Sequence, residues 1–284
     1  MLNTADVIEY FRMYPQIFTF WVVISFVFGC CIGSFLNVCI WRVPRGMSII
    51  SPPSHCPKCD HKITALENIP LLSWIFLGGK CSSCHAPITI RYFLVELMPG
   101  LLFALIFLKV IAMQQPIAVL LPYFVMAAIL ICSAFTDCEL GIIPNEFTYF
   151  GMICGVAFAA LFPSAWNLDS RVAALLLSLV SMLAAGGLMA LCAVAGKKIF
   201  RREALGWGDV KFIAAAGALT GLPGALFTVL AGSLAGLAGA PFLRLIPKYR
   251  KRRTLRFGPF LAFGMLIWIF FGDVLVRMYM RILN

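Results

Sequence analysis

Phe135-Thr136-Asp137-Cys138-Glu139-Leu140-Gly141-Ile142-Ile143-Pro144-Asn145 is a short polar link between two apolar runs, 117–136 and 146–163. Each run is close to the roughly 20 residues that an α-helix needs to cross a bilayer. Gly141 and Pro144 end one helix and let the next begin after a turn. Further apolar runs occupy 17–41, 92–113, 172–195, 224–246 and 257–279, and a shorter one, rich in small residues, follows Asp209 to position 221. With 62% hydrophobic residues, 12% charged residues and a mean hydropathy of +0.95 over 284 residues, the composition excludes an ordinary soluble domain. The expected fold class is an all-α polytopic membrane protein of about eight transmembrane helices. No basic segment precedes the first run and no small-residue cleavage site follows it, so it is expected to remain as a helix.

Charge sets the expected orientation. Segments 42–91, 197–211 and 244–256 carry 18 of the 23 lysines and arginines. In an eight-helix count these segments share one side, which the positive-inside rule makes cytosolic, with both chain ends outside. The Asp137 link falls on that cytosolic side. The net charge of +11 then reads as a topogenic signal with anionic lipid headgroups as neighbours. Nucleic acid is not expected as a partner, because the basic residues flank helices and form no domain of their own.

The one long hydrophilic stretch holds Cys56-Pro57-Lys58-Cys59 and Cys81-Ser82-Ser83-Cys84, two C-x-x-C knuckles 21 residues apart. Two thiolates from each knuckle complete the tetrahedron of a structural zinc ion, and a full set of protein ligands leaves no open position for catalysis. His55, His61 and His85 lie in the same stretch, so one of them could replace a cysteine as ligand. Cys30, Cys31, Cys39, Cys132, Cys154 and Cys192 read as small packing hydrophobes, and Gly29 with Gly33 as a small-xxx-small helix contact. No internal repeat is evident.

Asp137 ends one apolar run, and Asp209, in Gly206-Trp207-Gly208-Asp209-Val210-Lys211, opens another. Ionisable groups at such positions are costly and are candidate functional groups. Two acids brought together share a proton, so that one acts as base toward water and the other as acid. Asp137 is expected near the negative end of its helix and Asp209 near the positive end of its own, which would push their proton affinities apart. The plain alternative is a helix cap at Asp209 or pairing with Lys211. Cys138 lacks a base, since every histidine lies in the cysteine-rich stretch, and thiol or serine–histidine chemistry is not expected. Glu139, Glu146 and Glu203 read as solvated loop acids that add to the attraction of a cationic substrate.

At these residues the chain resembles the type IV prepilin peptidase family, whose members are GxGD aspartic membrane proteases. The resemblance runs through Gly33-Ser34-Phe35-Leu36-Asn37-Val38, the two knuckles with Glu67-Asn68-Ile69-Pro70 between them, Arg91-Tyr92 and Glu96, the Asp137 segment, Gly206-Trp207-Gly208-Asp209, and Phe257-Gly258-Pro259-Phe260-Leu261-Ala262. It implies a bifunctional leader peptidase and N-methyltransferase of type IV pilus and type II secretion systems, in the bacterial inner membrane. Asp137 and Asp209 would be the catalytic aspartates, with Cys56, Cys59, Cys81 and Cys84 in the cytosolic loop. Such enzymes cleave the basic leader of prepilins and pseudopilins after a glycine at the cytosolic membrane face, then methylate the new amino terminus from S-adenosylmethionine. No local motif defines the methyl-donor site. The implied organisation is a first transmembrane helix (1–41), a zinc-binding, methyltransferase-associated loop (42–91) and a multi-helix peptidase domain (92–284). Two other readings stand beside this one: an intramembrane protease of the presenilin kind, against which the cysteine module and residues 257–262 argue, and a non-catalytic scaffold or transporter.

Overall fold

A computed structural model describes residues 4–201, 205–245 and 256–283. Helices are the regular elements of the described residues, joined by loops that hold isolated β-bridges, and the chain forms two compact units, Met1–Gln115 and Pro116–Asn284.

The first unit contains α1 (Thr4–Met13), α2 (Pro15–Arg42), the short α3 (Leu72–Phe76) and α4 (Ile90–Ala112). Helices α2 and α4 run antiparallel at close range because glycines face the partner backbone. A Cβ on Gly29 would stand 2.4 Å from the Pro99 carbonyl oxygen, and one on Gly33 would stand 2.6 Å from the Glu96 Cα. Lipid gives helices no hydrophobic reason to associate, so such backbone approach supplies the packing. The buried Asn37 side chain adds a polar tie, donating to the Tyr92 carbonyl at 3.0 Å.

The second unit contains α5 (Leu120–Leu140), α6 (Asn145–Leu161), α7 (Arg171–Phe200), α8 (Trp207–Leu245) and α9 (Gly258–Leu283). Here too small residues seat the helices. A Cβ on Gly155 would lie 2.6 Å from the Ala218 carbonyl carbon, and one on Gly217 would lie 2.6 Å from the Ser181 carbonyl oxygen. Ser178 donates from its hydroxyl to the Ala218 carbonyl at 2.9 Å.

Helix α8 is interrupted at Gly221, whose φ of 78° and ψ of 169° are not helical, and Pro223 follows. The chain reverses there. A straight helix would carry Gly232 about 35 Å from Asp209 at 1.5 Å per residue. Instead a Cβ on Gly232 would be 3.0 Å from the Phe260 carbonyl oxygen, and one on Gly258, two residues earlier, would be 2.8 Å from the Asp137 carboxylate. The second half of α8 therefore comes back toward the end of the bundle that holds Asp137, antiparallel to α9.

Six helices among the described residues are long and apolar enough to cross a membrane, so eight is not the number that length and composition give. The expected runs exist, but α6 has 17 residues, and the runs ending and beginning around Gly221 belong to one interrupted helix.

Candidate active site and metal centre

Asp137 lies in the last turn of α5. That helix ends on Gly141 in the left-handed conformation, φ 78°, and the Gly141 N–H donates to the Asp137 carbonyl at 2.9 Å. A residue with a side chain would be strained at such a cap. The Arg256 guanidinium donates to the same carbonyl, a cation satisfying the negative end of a helix. The Asp137 side chain is 7% exposed. Its Oδ2 accepts the N–H of Gly258, the first residue of α9, at 2.9 Å.

This changes one expectation. Asp137 does end its own helix, but its carboxylate is received at the positive end of another, so both acids stand at helix N-termini. Asp209 occupies the first turn of α8, where its N–H and that of Val210 donate to the Gly206 carbonyl at 3.1 and 3.4 Å. Gly208 packs on the turn that follows α5: a Cβ there would lie 3.0 Å from the Ile143 Cβ and 3.3 Å from its carbonyl oxygen. That approach holds the half-buried Asp209 within electrostatic reach of Asp137. Lys211 is engaged elsewhere, donating to Asn145 Oδ1 at 2.7 Å and lying over the Tyr149 ring. Cys138 and Glu146 are exposed. Glu203 lies outside the described residues.

The four loop cysteines come together, all their sulfurs within 4.8 Å of one another. Cys56 and Cys84 are 3.8 Å apart and Cys59 and Cys81 3.9 Å. A tetrahedron with zinc–sulfur bonds near 2.3 Å has edges of about 3.8 Å. The two knuckles are copies of one structure. In each, the first cysteine N–H bonds the carbonyl five residues on (His61, Ala86) at 2.9 Å, and its own carbonyl accepts from the residue four on (Asp60, His85) at 2.9 and 3.0 Å. Those fourth residues both take positive φ, 54° and 56°. Bridges His55–Lys62 and Lys80–Pro87 close the two turns. The repeat not evident in the sequence is thus present at the level of backbone geometry.

Amide donors aim at the sulfurs. N–H groups of Lys58 and Cys59 bring the Cys56 thiol down to about 7, and those of Cys84 and Ser83 lower Cys81. Cys59 goes the other way: although the His61 backbone hydrogen bond favours its thiolate, burial and the neighbouring sulfurs push its thiol up to about 11. With Cys56, Cys59, Cys81 and Cys84 as ligands, the four clustered sulfurs fit a zinc ion, whose charge would displace the remaining thiol protons.

No histidine is needed as ligand. His61 Nε2 lies 3.2 Å from Glu67 and 3.3 Å from the Ser82 hydroxyl. Glu67 also accepts from the Thr64 N–H at 2.8 Å and from the Thr64 hydroxyl at 2.9 Å. Donation from Ser82 first, then from Thr64, takes the Glu67 carboxyl down to about 2. The network ties the second knuckle to the turn after the first. Thr64-Ala65-Leu66-Glu67 has the spacing of a capping box, the one sequence signal that could have located it. Nothing local marks Arg256 as a partner of Asp137.

Residues 27–110 match the bacterial peptidase A24 N-terminal domain and residues 124–240 the type IV leader peptidase family. A prepilin leader peptidase/N-methyltransferase of Myxococcus xanthus (strain DK1622) is 41% identical over 196 residues, 69% of this chain and 55% of the relative. Proteins of the same name are 32% identical in Aeromonas hydrophila, over 92% of this chain and 94% of the relative, and 33% identical in Bacillus subtilis (strain 168), over 91% and 97%. No solved structure matches the chain. With the Aeromonas hydrophila and Bacillus subtilis relatives aligned across nearly their whole length, and with the acids and cysteines lying in the two matched regions, the chain belongs to the type IV leader peptidase family.

Proposed function

We propose that the protein is a membrane aspartyl endopeptidase that removes the basic leader of type IV prepilins and pseudopilins and then N-methylates the exposed amino terminus. The observation that carries the first activity is the approach of Asp137 and Asp209, from positions 72 residues apart in the sequence, at one end of the second unit. One acid would take a proton from the attacking water while the other protonates the departing amine, and the Gly258 N–H would hold Asp137 Oδ2 in place. Cleavage after glycine at the cytosolic face, eight crossings, both termini periplasmic and location in the inner membrane complete this reading. Arg256 on the Asp137 carbonyl and Lys211 on Asn145 are basic residues beside the Asp137 link and support it.

The names of the relatives support the second activity, for which S-adenosylmethionine would supply the methyl group. The acceptor amine exists only after cleavage. Residues 42–91, stiffened by zinc, form the only polar segment large enough to build a pocket for a nucleoside-sized donor, so methyl transfer should depend on that loop. Mass spectrometry of a co-expressed prepilin tests both halves at once, reporting cleavage position and methylation in one spectrum. An unprocessed substrate would refute the reading. Asp137→Asn should still methylate a pre-cleaved pilin, whereas a metal-free loop variant should not.

A further inference from the structure

Helix α3 and the turn before it do not stand clear of the membrane helices. The Leu71 N–H donates to Glu96 Oε2 at 2.8 Å, Trp74 packs against Phe93 with the rings tilted by 43° and their centroids 5.2 Å apart, and Trp74 Nε1 donates to the Ile88 carbonyl at 3.4 Å. Depth along α4 follows from these ties. Trp41, at the end of α2 with Arg45 3.6 Å over its ring, and Tyr92, at the start of α4, are exposed aromatics of the kind that mark a membrane interface. Glu96 lies four residues beyond Tyr92, about 6 Å further into the span at 1.5 Å per residue. A helical side chain leans back over the turn before it, so the Glu96 carboxylate, together with Phe93 and Ile88, holds Leu71 and Trp74 at the aromatic level where α4 begins. The face of this segment turned away from α4 is apolar and uncovered, with Leu66 78%, Leu72 50%, Ile75 55% and Phe76 82% exposed. Lysines flank it: Lys62 precedes the segment and Lys80 follows it, both exposed.

We propose that residues 66–77 are an interfacial wedge, with Leu66, Leu72, Ile75 and Phe76 inserted among the acyl chains of the leaflet that meets the basic loop. Lys62 and Lys80 lie against anionic headgroups above them. Lipid is the occupant the depth favours, since a segment pinned beside the outer turns of a membrane helix meets acyl chains before it meets any soluble partner. Neighbouring lysines complement anionic lipid. The wedge would fix the height of the zinc-binding knuckles above the bilayer.

The test uses the full-length protein in nanodiscs of phosphatidylethanolamine and phosphatidylglycerol. A photoreactive benzoylphenylalanine replaces Phe76 or, separately, Ile75, both exposed positions at which the fold should tolerate it. Leu105, on the exposed face of α4, is the control. Lipid adducts at 75 and 76, as at 105, are the expected result. Absence of lipid adducts at both positions while 105 yields them would overturn the proposal, as would adducts there only with a co-reconstituted pilin or a second copy of the chain. Lys62→Gln combined with Lys80→Gln should lower the share of phosphatidylglycerol among the adducts, and an unchanged share would overturn the headgroup contact.

Discussion

Gly258 shows how narrow the tolerance is at the acid pair. Its N–H holds Asp137 Oδ2, and a Cβ there would stand 2.8 Å from that oxygen and 3.0 Å from the Asp137 Cβ. Gly258→Ala must therefore displace the carboxylate. Misplacing a reacting group by an ångström can cost about 10²-fold in rate, and a loss of that size is expected in prepilin cleavage, with the zinc content unchanged. Wild-type turnover in this variant would show that the Asp137 position is not critical. Asp137→Asn and Asp209→Asn should each reduce cleavage by several orders of magnitude in a folded, inserted protein, because each removes half of the proton transfer. Cys138→Ser should keep its activity, which the same gel assay of processed substrate would report.

Among the elements, the pair of knuckles and the glycine-seated helices respond differently to change. Serine at Cys56, Cys59, Cys81 or Cys84 leaves three sulfurs around the ion, so zinc measured by elemental analysis and protection of the loop from proteolysis should fall together. Acidification should do the same. Metal binding requires thiolates and releases their protons, so zinc affinity falls as pH falls. A zinc titration across pH 5 to 8 reads this directly. Between helices, Gly155→Val would drive a branched side chain into the Ala218 backbone, 2.6 Å from where its Cβ would stand. Overpacking of that kind costs about 1–3 kcal/mol, to be read as a lower unfolding temperature in detergent without loss of zinc.

At the scale of the whole molecule the open quantity is the number of crossings. Reversal at Gly221 makes α8 a helical hairpin, and with α6 as a short span the chain would cross eight times. Cysteines placed at 167, in the link between α6 and α7, and at 222, beside the reversal, should then react with an impermeant reagent from outside, whereas one at 211 should react only from the cytosol. Labelling of 222 from the cytosol would refute the hairpin as a pair of crossings.

The sequence by itself determined the class of the protein and the chemistry available to it. Apolar runs of membrane-spanning length, lysines and arginines gathered in alternate links and cysteines in paired spacing are all local facts, and local facts survive in a linear chain. The grouping of the four knuckle cysteines could be read for that reason, as could the place of each aspartate at a helix end. Tertiary structure alone decided what surrounds them. Asp137 is held by Gly258, 121 residues away, and its helix end is capped by Arg256. Those contacts depend on helix approach distances that no local pattern encodes. The reversal of α8 had the same origin: Gly221 and Pro223 announce a break, but only the seating of Gly232 and Gly264 against the neighbouring backbone turns that break through a half circle.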